Sequence, residues 1–143
     1  MPILRNCKVW YLKADPARPN KKFSPDNPTW ECQLRTTDRE QKKEWEALGL
    51  PVKLVDDEKL GSFWRVNLKK NSIKKDDQKP ASPVEVVNGK REYVDPNTVG
   101  NDSIAHIRVW QYEYTNTKSN KTGKASVLMG LQLVKHVDRK SVV

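Results

Sequence analysis

Two long segments near the end of the chain carry apolar residues at every second position over much of their length. The first is SIAHIRVWQYEYT over 103–115, and the second is KASVLMGLQLVKHV over 124–137. A period of two is typical of β-strands with one buried face, because successive side chains point to opposite faces of a sheet. The polar stretch NTKSNKTG lies between the two segments. Together they predict a long antiparallel hairpin.

Three shorter segments, over 3–13, 29–36 and 62–70, carry the same alternation and predict further strands. A helix is predicted over 39–48, with Thr37 or Asp38 as its cap and Gly49 as its end. Residues 56–58 predict a short acidic turn, and VEVV and REYV predict a hairpin around a two-residue type I′ turn at Asn88-Gly89. About five main strands and one helix predict a small barrel, since closure removes the exposed edges of such a sheet.

The length of 143 residues predicts one domain over 1–143, with a flexible end at about 138–143 and long polar loops over 14–28 and 70–83. The chain has no run of about 18 apolar residues and no apolar signal-peptide stretch. We therefore expect a protein that is neither exported nor membrane-bound. Two cysteines, Cys7 and Cys32, and two histidines without metal-ligand spacing predict neither a disulfide framework nor a structural metal.

The charge of the chain indicates an anionic partner. Lysine and arginine number 27 against 18 acidic residues, which gives a net charge of +9. Such an excess attracts polyanions, of which nucleic acid is the first candidate and a membrane surface the second. The basic residues concentrate over 1–22 and 62–80.

The alternation also predicts which side chains face outward. In the strand from Ser103, the buried face is Ala105, Ile107 and Val109, and the opposite face interleaves His106 and Arg108 with Trp110, Tyr112 and Tyr114. Aromatic rings at strand spacing, with cations for phosphates, are typical of a surface that stacks unpaired bases. The pattern recurs in the other strands, where the predicted inward residues are Trp64, Val66, Leu68, Trp30, Cys32 and Leu34, and the predicted outward ones are Phe63, Arg65, Asn67, Lys69, Glu31, Gln33 and Arg35.

The first strand does not settle its own orientation. Lys8 and Trp10 share one face with Leu4 and Leu12, and Cys7 and Val9 lie on the other. Either face is compatible with burial.

The chain contains no phosphate-binding loop, nucleophile elbow or zinc-protease motif, and its acidic residues lie mainly in the helix, a turn and loops. We therefore expect no enzyme, catalytic residue, metal or cofactor. A Mg²⁺-dependent nuclease stays open as a second class of function, because a fold can bring loop carboxylates together.

Several of these segments resemble one protein family. Gly100-Asn101-Asp102-Ser103, the strand IRVWQYEY, the Lys-rich hairpin and the segment from Gly123 to Lys135 are similar to the C-terminal half of the single-stranded DNA-binding proteins of tailed bacteriophages. SFWRVNLKKN, preceded by a short helix, resembles the central strand of that family. The resemblance implies a mainly β fold, a five-stranded OB-fold barrel with one short helix and long loops. It further implies a protein that coats single-stranded DNA in phage replication, recombination and repair, in the cytoplasm of the bacterial host.

Pattern and resemblance together predict a set of residues that contact single-stranded DNA. The set comprises Lys8, Trp10, Arg35, Phe63, Arg65, Lys69, Lys70, Arg108, Trp110, Tyr112, Tyr114, Lys121 and Lys124. The resemblance also implies that Gly100, Gly123 and Gly130 are turn or bend positions, which the freedom of glycine at positive φ would suit.

The end of the chain departs from the family. Many of its members end in an acidic tail that recruits replication partners, whereas this chain ends in KHVDRKSVV. Replication or recombination proteins and a second copy of the chain stay open as further partners, through other surfaces. The residues are also compatible with an RNA-binding OB module, and with a protein whose surface is incidentally basic.

Overall fold

Strands dominate the computed structural model, which describes residues 2–15, 28–59, 61–72, 79 and 81–138. Most of the two predicted loops, and residues 139–143 of the predicted flexible end, lie outside this set. The elements are β1 (Ile3–Lys13), β2 (Thr29–Thr36), α1 (Arg39–Ala47), β3 (Lys53–Asp57), β4 (Gly61–Asn71), β5 (Glu85–Val87), a short 3-10 helix (Pro96–Thr98), β6 (Ser103–Asn116) and β7 (Lys121–Lys135).

The seven described strands form one sheet in the order β3-β4-β2-β1-β6-β7-β5. A parallel pairing of Lys69 in β4 with Val127 in β7 closes the five central strands into a barrel. Strands β3 and β5 extend the sheet beyond that closure. The predicted fold, mainly β with a five-stranded barrel and one helix, is confirmed.

Most elements occur at the residues predicted from the sequence. The first two strands match the prediction, and the last hairpin is longer at its tip. Asp38 is the helix cap, and its side chain accepts a hydrogen bond from the Glu40 amide at 2.9 Å. Trp45, on the inner side of α1, is buried in the core.

The core follows the predicted alternation in β2, β4 and β6. Its members from these strands are Trp30, Cys32, Leu34, Val66, Leu68, Ala105, Ile107 and Val109. Trp64 is the exception, because it is half-buried and lies beneath the Lys42 ammonium, 5.5 Å from its ring centroid. Desolvation by burial, with a smaller effect of Glu44, raises the pKa of Cys7 to about 12, and burial also raises the pKa of Cys32.

Both faces of β1 contribute to the core, which explains why its alternation was ambiguous. Leu4, Cys7, Val9 and Leu12 are all buried. Register shifts occur between Leu4 and Cys7 against β6, and between Trp10 and Lys13 against β2. Asn6 and Tyr11 lie in these irregular stretches with φ of 52° and 53°. Each bulge reverses the inward face, so no single period describes the strand.

Two sequence predictions about turns are wrong. Asp56 and Asp57 belong to β3, which pairs with β4 and was not predicted, and the acidic turn begins only at Glu58. The Asn88-Gly89 turn is not type I′, because that type needs positive φ at both central residues and Gly89 has none. Instead the Asn88 amide donates to the Glu92 carbonyl at 2.9 Å, and Arg91 takes a φ of 62°.

The three glycines singled out by the resemblance do not have positive φ, so that part of the expectation is wrong. They lie where a neighbour approaches closely. A Cβ on Gly100 would lie 2.9 Å from the Asp138 carbonyl oxygen, and one on Gly123 would lie 2.6 Å from the Tyr114 ring. A side chain at these positions would force its neighbour to move.

Candidate nucleic-acid interface

Four cationic side chains form a row across one face of the sheet. Lys8 pairs with Arg35, Arg35 with Arg65, and Arg65 with Lys53, so that one cation comes from each of β1, β2, β4 and β3. Adjacent strands lie about 4.8 Å apart, so this cation row spans about 14 Å. Residues directly opposite one another point to the same face, and the row therefore lies on the outer surface of the sheet.

The cation row costs stability in the free protein. Like charges directly opposite one another across strands are destabilising, and the row contains three such pairs in succession. Among the described residues, no carboxylate lies within ion-pair distance of any of the four. An anionic ligand would relieve the repulsion.

Arg35, in the middle of the row, is held among aromatic rings. Its guanidinium carbon lies 3.8 Å from the ring centroid of Trp10 and 4.5 Å from that of Phe63. Its Nε donates to Oε1 of Gln33 at 2.7 Å, and the Gln33 amide in turn donates to Asn67 at 3.0 Å. Cation–π contacts and this hydrogen bond fix the guanidinium in position before any ligand arrives.

Trp10 is fixed on its other side by the turn before β6. Its indole Nε1 donates to Oδ1 of Asp102 at 2.8 Å, and the neighbouring Tyr11 amide donates to Oδ1 of Asn101 at 2.9 Å. One face of the Trp10 ring is therefore covered by Arg35, and its polar edge is already satisfied. Trp10 supports the row more than it offers a free stacking face.

Three exposed aromatic side chains follow one another along β6. Trp110, Tyr112 and Tyr114 are 46%, 42% and 50% exposed. The ring centroids of Trp110 and Tyr112 are 4.9 Å apart at an angle of 34°, and Tyr114 lies over Gly123 of β7. These three partly exposed side chains form an aromatic ladder on one face of β6. Large exposed apolar side chains that lie together are typical of binding surfaces.

Barrel closure joins the aromatic ladder to the strand that carries Arg65. Lys69 of β4 pairs with Val127 of β7, and Val127 pairs with Trp110 of β6, so all three lie in one row of the outer surface. The separation of two strands places Lys69 about 10 Å from Trp110. Because β4 and β7 run parallel, the ladder beyond Trp110 extends towards the side of β4 on which Asn67 and Arg65 lie. The cations and the exposed aromatic rings thus belong to one continuous surface.

Comparison with known proteins shows that solved structures share this barrel. The single-stranded DNA-binding protein of bacteriophage Enc34, in complex with single-stranded DNA, matches with a TM-score of 0.60 and 15% identity over 94% of this chain and 86% of that chain. A second structure of the Enc34 protein matches with a TM-score of 0.61 and 15% identity, over 96% of this chain and 81% of that chain. Gp2.5 of bacteriophage T7, a single-stranded DNA-binding protein, matches with a TM-score of 0.55 and 15% identity, over 95% of this chain and 90% of that chain. The chain has the OB-fold of phage single-stranded DNA-binding proteins. No family model and no curated protein sequence matches it.

Within this OB-fold, the predicted contact residues divide into two groups. Those on the continuous outer surface are Lys8, Trp10, Arg35, Phe63, Arg65, Lys69, Trp110, Tyr112, Tyr114 and, at the hairpin tip, Lys121. Phe63 lies on this face but is only 7% exposed, because Arg35 covers its ring. It contributes by supporting Arg35.

Of the remaining predicted residues, Lys70 and Lys124 lie on other faces, and Arg108 is already paired with a carboxylate. Lys70 pairs with the inward-facing Trp30, so it is on the opposite face of β4 from Lys69. Lys124 pairs with Glu113, on the face of the hairpin opposite the ladder, and its stem lies beside Gly49 after α1. Arg108 is on the outer face of β6 but forms an ion pair with Glu85 of β5 at 3.7 Å.

The candidate interface also contains positions that the sequence did not indicate. Lys53 completes the cation row, but its strand was not recognised because LVDD carries little alternation. Gln33 and Asn67 were predicted to face outward, yet their role in positioning Arg35 depends on the pairing of β2 with β4. The one local signal for Lys53 is that it directly precedes the apolar pair Leu54-Val55.

The described part of the chain has neither a cluster of potential metal ligands nor a membrane-spanning helix. No group of three or more His, Cys, Asp or Glu side chains there comes close enough to hold a metal ion together. No helix in those ranges has the length and apolar character needed to cross a bilayer.

Proposed function

We propose that this chain binds single-stranded DNA with little sequence preference and covers it. The observation that carries the proposal is the cation row of Lys8, Arg35, Arg65 and Lys53, which repels itself in the free protein and adjoins the aromatic ladder. The Enc34 protein, which has the same fold, has been solved in complex with single-stranded DNA. That complex supports the same ligand for this chain.

The cation row supplies the phosphate contacts. Guanidinium groups bind phosphate oxygens through paired, charge-assisted hydrogen bonds, and Arg35 is already oriented by Gln33, Trp10 and Phe63. A fixed cation loses less conformational entropy on binding than a mobile one. Phosphates are the same in every nucleotide, so this part of the surface carries no sequence preference.

The aromatic ladder supplies the base contacts. A base stacked on Trp110, Tyr112 or Tyr114 gains about 1 to 3 kcal/mol, and every base presents a π-face. In a duplex the bases are already stacked and paired, so only the phosphate contacts remain available. The surface therefore favours unpaired strands.

The biological role we propose is protection of single strands during phage DNA replication, recombination and repair in the bacterial host cytoplasm. The chain would act as one nucleic-acid-binding domain over 1–143, without chemistry of its own and without a cofactor. Replication or recombination proteins and a second copy of the chain are the further partners that this role implies.

The proposal is tested by titrating the intrinsic tryptophan fluorescence with a thymine oligonucleotide, a matched duplex and a matched RNA, at low and moderate salt. We expect saturable quenching with the DNA single strand and markedly weaker binding to the duplex. Equal binding to single strand and duplex, abolished by salt, would reduce the interaction to nonspecific charge. A clear preference for the RNA would assign the chain to RNA-binding OB modules instead.

Trp110→Ala tests the ladder separately from the charge. Loss of one stacked base at about 1 to 3 kcal/mol should weaken single-strand binding about 5- to 150-fold, because every 1.4 kcal/mol is a factor of ten. Leu54→Ala is the matched control, since it truncates a similarly exposed apolar side chain on β3. If both variants bind like the wild type, the ladder does not stack bases.

A further inference from the structure

A surface cavity of about 350 Å³ lies between the start of β1 and strands β5, β6 and β7. Ile3 and Val87 supply its apolar side chains, and Arg91 and Arg108 bring two guanidinium groups to it. The volume is within the range of small-molecule sites, about 300 to 1,000 Å³. The combination of apolar lining with two cations suits a ligand that has a flat apolar part and an anionic part.

The strand β6 connects this cavity with the aromatic ladder. Arg108 precedes Trp110 by two residues on the same face of β6, which places their Cα atoms about 7 Å apart. Gly130 lies opposite Arg108 in β7, and a Cβ there would approach the Arg108 guanidinium nitrogen to 3.4 Å. The absence of a side chain at Gly130 leaves room for Arg108 to lie across the strand at the rim of the cavity.

We propose that the cavity is a nucleotide subsite, in which one nucleotide of a bound single strand lies beyond those stacked on the ladder. Its base packs against Ile3 and Val87, and its phosphate is bound by Arg91 and Arg108. The subsite extends the proposed function, on which it rests, to a part of the barrel that the cation row does not reach. In the sheet order, β1 lies between the cavity strands β6, β7 and β5 and strand β2, which carries Arg35 of the cation row.

The charges of the cavity fit this ligand. Glu85 forms the ion pair with Arg108, but both side chains are about half exposed, so the pair is weak and a phosphate can replace it. Arg91 lies in the turn after β5 and has no such carboxylate partner among the described residues. Two guanidinium groups against one carboxylate leave the cavity with a net positive charge. An extended strand leaving Trp110 towards Arg108 would bring its next phosphate to these groups.

Arg91→Asn tests the subsite, because asparagine removes the charge and tolerates the φ of 62° at this position. Lys90→Asn is the matched control, since it removes the same charge from the adjacent residue, which does not line the cavity. With a 20-nucleotide thymine oligonucleotide, we expect Arg91→Asn to weaken binding about tenfold, as for a lost charged hydrogen bond. The slope of log affinity against log salt should fall by about 0.7 in Arg91→Asn and stay unchanged in Lys90→Asn.

A second measurement probes the cavity without the strand. Thymidine 5′-monophosphate is titrated into ¹⁵N-labelled protein, and we expect the amide signals of Val87, Arg91 and Gln132 to shift in the wild type. In Arg91→Asn the signals of Val87 and Gln132 should stay in place. Shifts confined to other residues would overturn the subsite.

The two measurements separate the subsite from the proposed function. If the oligonucleotide binds and the two variants weaken it equally, the proposed function stands and the subsite is overturned. If the nucleotide shifts the cavity signals but the oligonucleotide shows no saturable binding, the cavity binds nucleotides and the proposed function fails. If neither ligand binds, both are refuted.

Discussion

Neutralising the two outer members of the cation row should make DNA binding less sensitive to salt and at the same time stabilise the free protein. Lys8→Gln with Lys53→Gln removes one charge from each end of the row and leaves Arg35 and its aromatic contacts intact. Both lysines are exposed, so the core is not disturbed.

The size of the expected change in salt dependence follows from the number of cations that contact phosphates. Each phosphate neutralised by a protein cation contributes a slope of about −0.7 to log affinity against log salt for single strands. Four cations give about −2.8, which is about a 50-fold loss of affinity between 50 and 200 mM salt, and two give about −1.4, or about a sevenfold loss. Each like-charge pair that the variant removes, Lys8 with Arg35 and Arg65 with Lys53, should return about 0.2 to 1 kcal/mol of unfolding free energy.

The assay is a salt series of oligonucleotide titrations, together with urea unfolding of the free protein. Lys43→Gln with Lys90→Gln is the control, because it removes the same charge from the helix and from the turn after β5. Equal salt slopes for the two double variants would show that the cation row does not contact phosphates. A loss of unfolding free energy in Lys8→Gln with Lys53→Gln would refute the claim that the row repels itself.

Three further results are expected. Gly123→Ala places a methyl group 2.6 Å from the Tyr114 ring and should displace the ring. We expect single-strand binding to weaken by about 1 to 3 kcal/mol with little change in Tm. An unchanged affinity would show that Tyr114 does not stack a base. Leu34→Ala removes a fully buried side chain of the core and should cost about 2 to 5 kcal/mol in urea unfolding, and a cost below about 1 kcal/mol would contradict its place there. Burial raises the folded pKa of Cys7 to about 12, so its contribution to stability is fully present below the unfolded pKa of about 8.5. As pH rises from there towards 12, that contribution is lost by about 1.4 kcal/mol per pH unit. The difference in unfolding free energy between the wild type and Cys7→Ala should change with that slope, and a pH-independent difference would contradict it.

The alternation of apolar and polar residues was sufficient to locate β1, β2, β4, β6 and β7, because a half-buried strand requires that period. It also identified Trp110, Tyr112 and Tyr114 as one exposed face, since β6 runs without a bulge through them. The helix cap at Asp38 followed from an equally local pattern. These features depend on neighbours within one strand or one turn. The barrel class followed from the number of predicted strands.

Features that depend on partners far along the chain could not be predicted in this way. The bulges at Asn6 and Tyr11 are defined only against β2 and β6, so the sequence left the faces of β1 open. The separation of Lys70 from Lys69 follows from the same alternation, but the placement of Lys124 beside Gly49 does not.

The arrangement of the charged surface also depends on pairing between strands that are far apart in the sequence. Register between four strands aligns Lys53, Arg65, Arg35 and Lys8, although these residues are far apart in the sequence. Barrel closure at Lys69 and Val127 then connects the row with the aromatic ladder. Local alternation specifies which residue types face the solvent in each strand. Which of them meet depends on how the strands pair, because that pairing is selected by burying the core and not by the surface residues themselves.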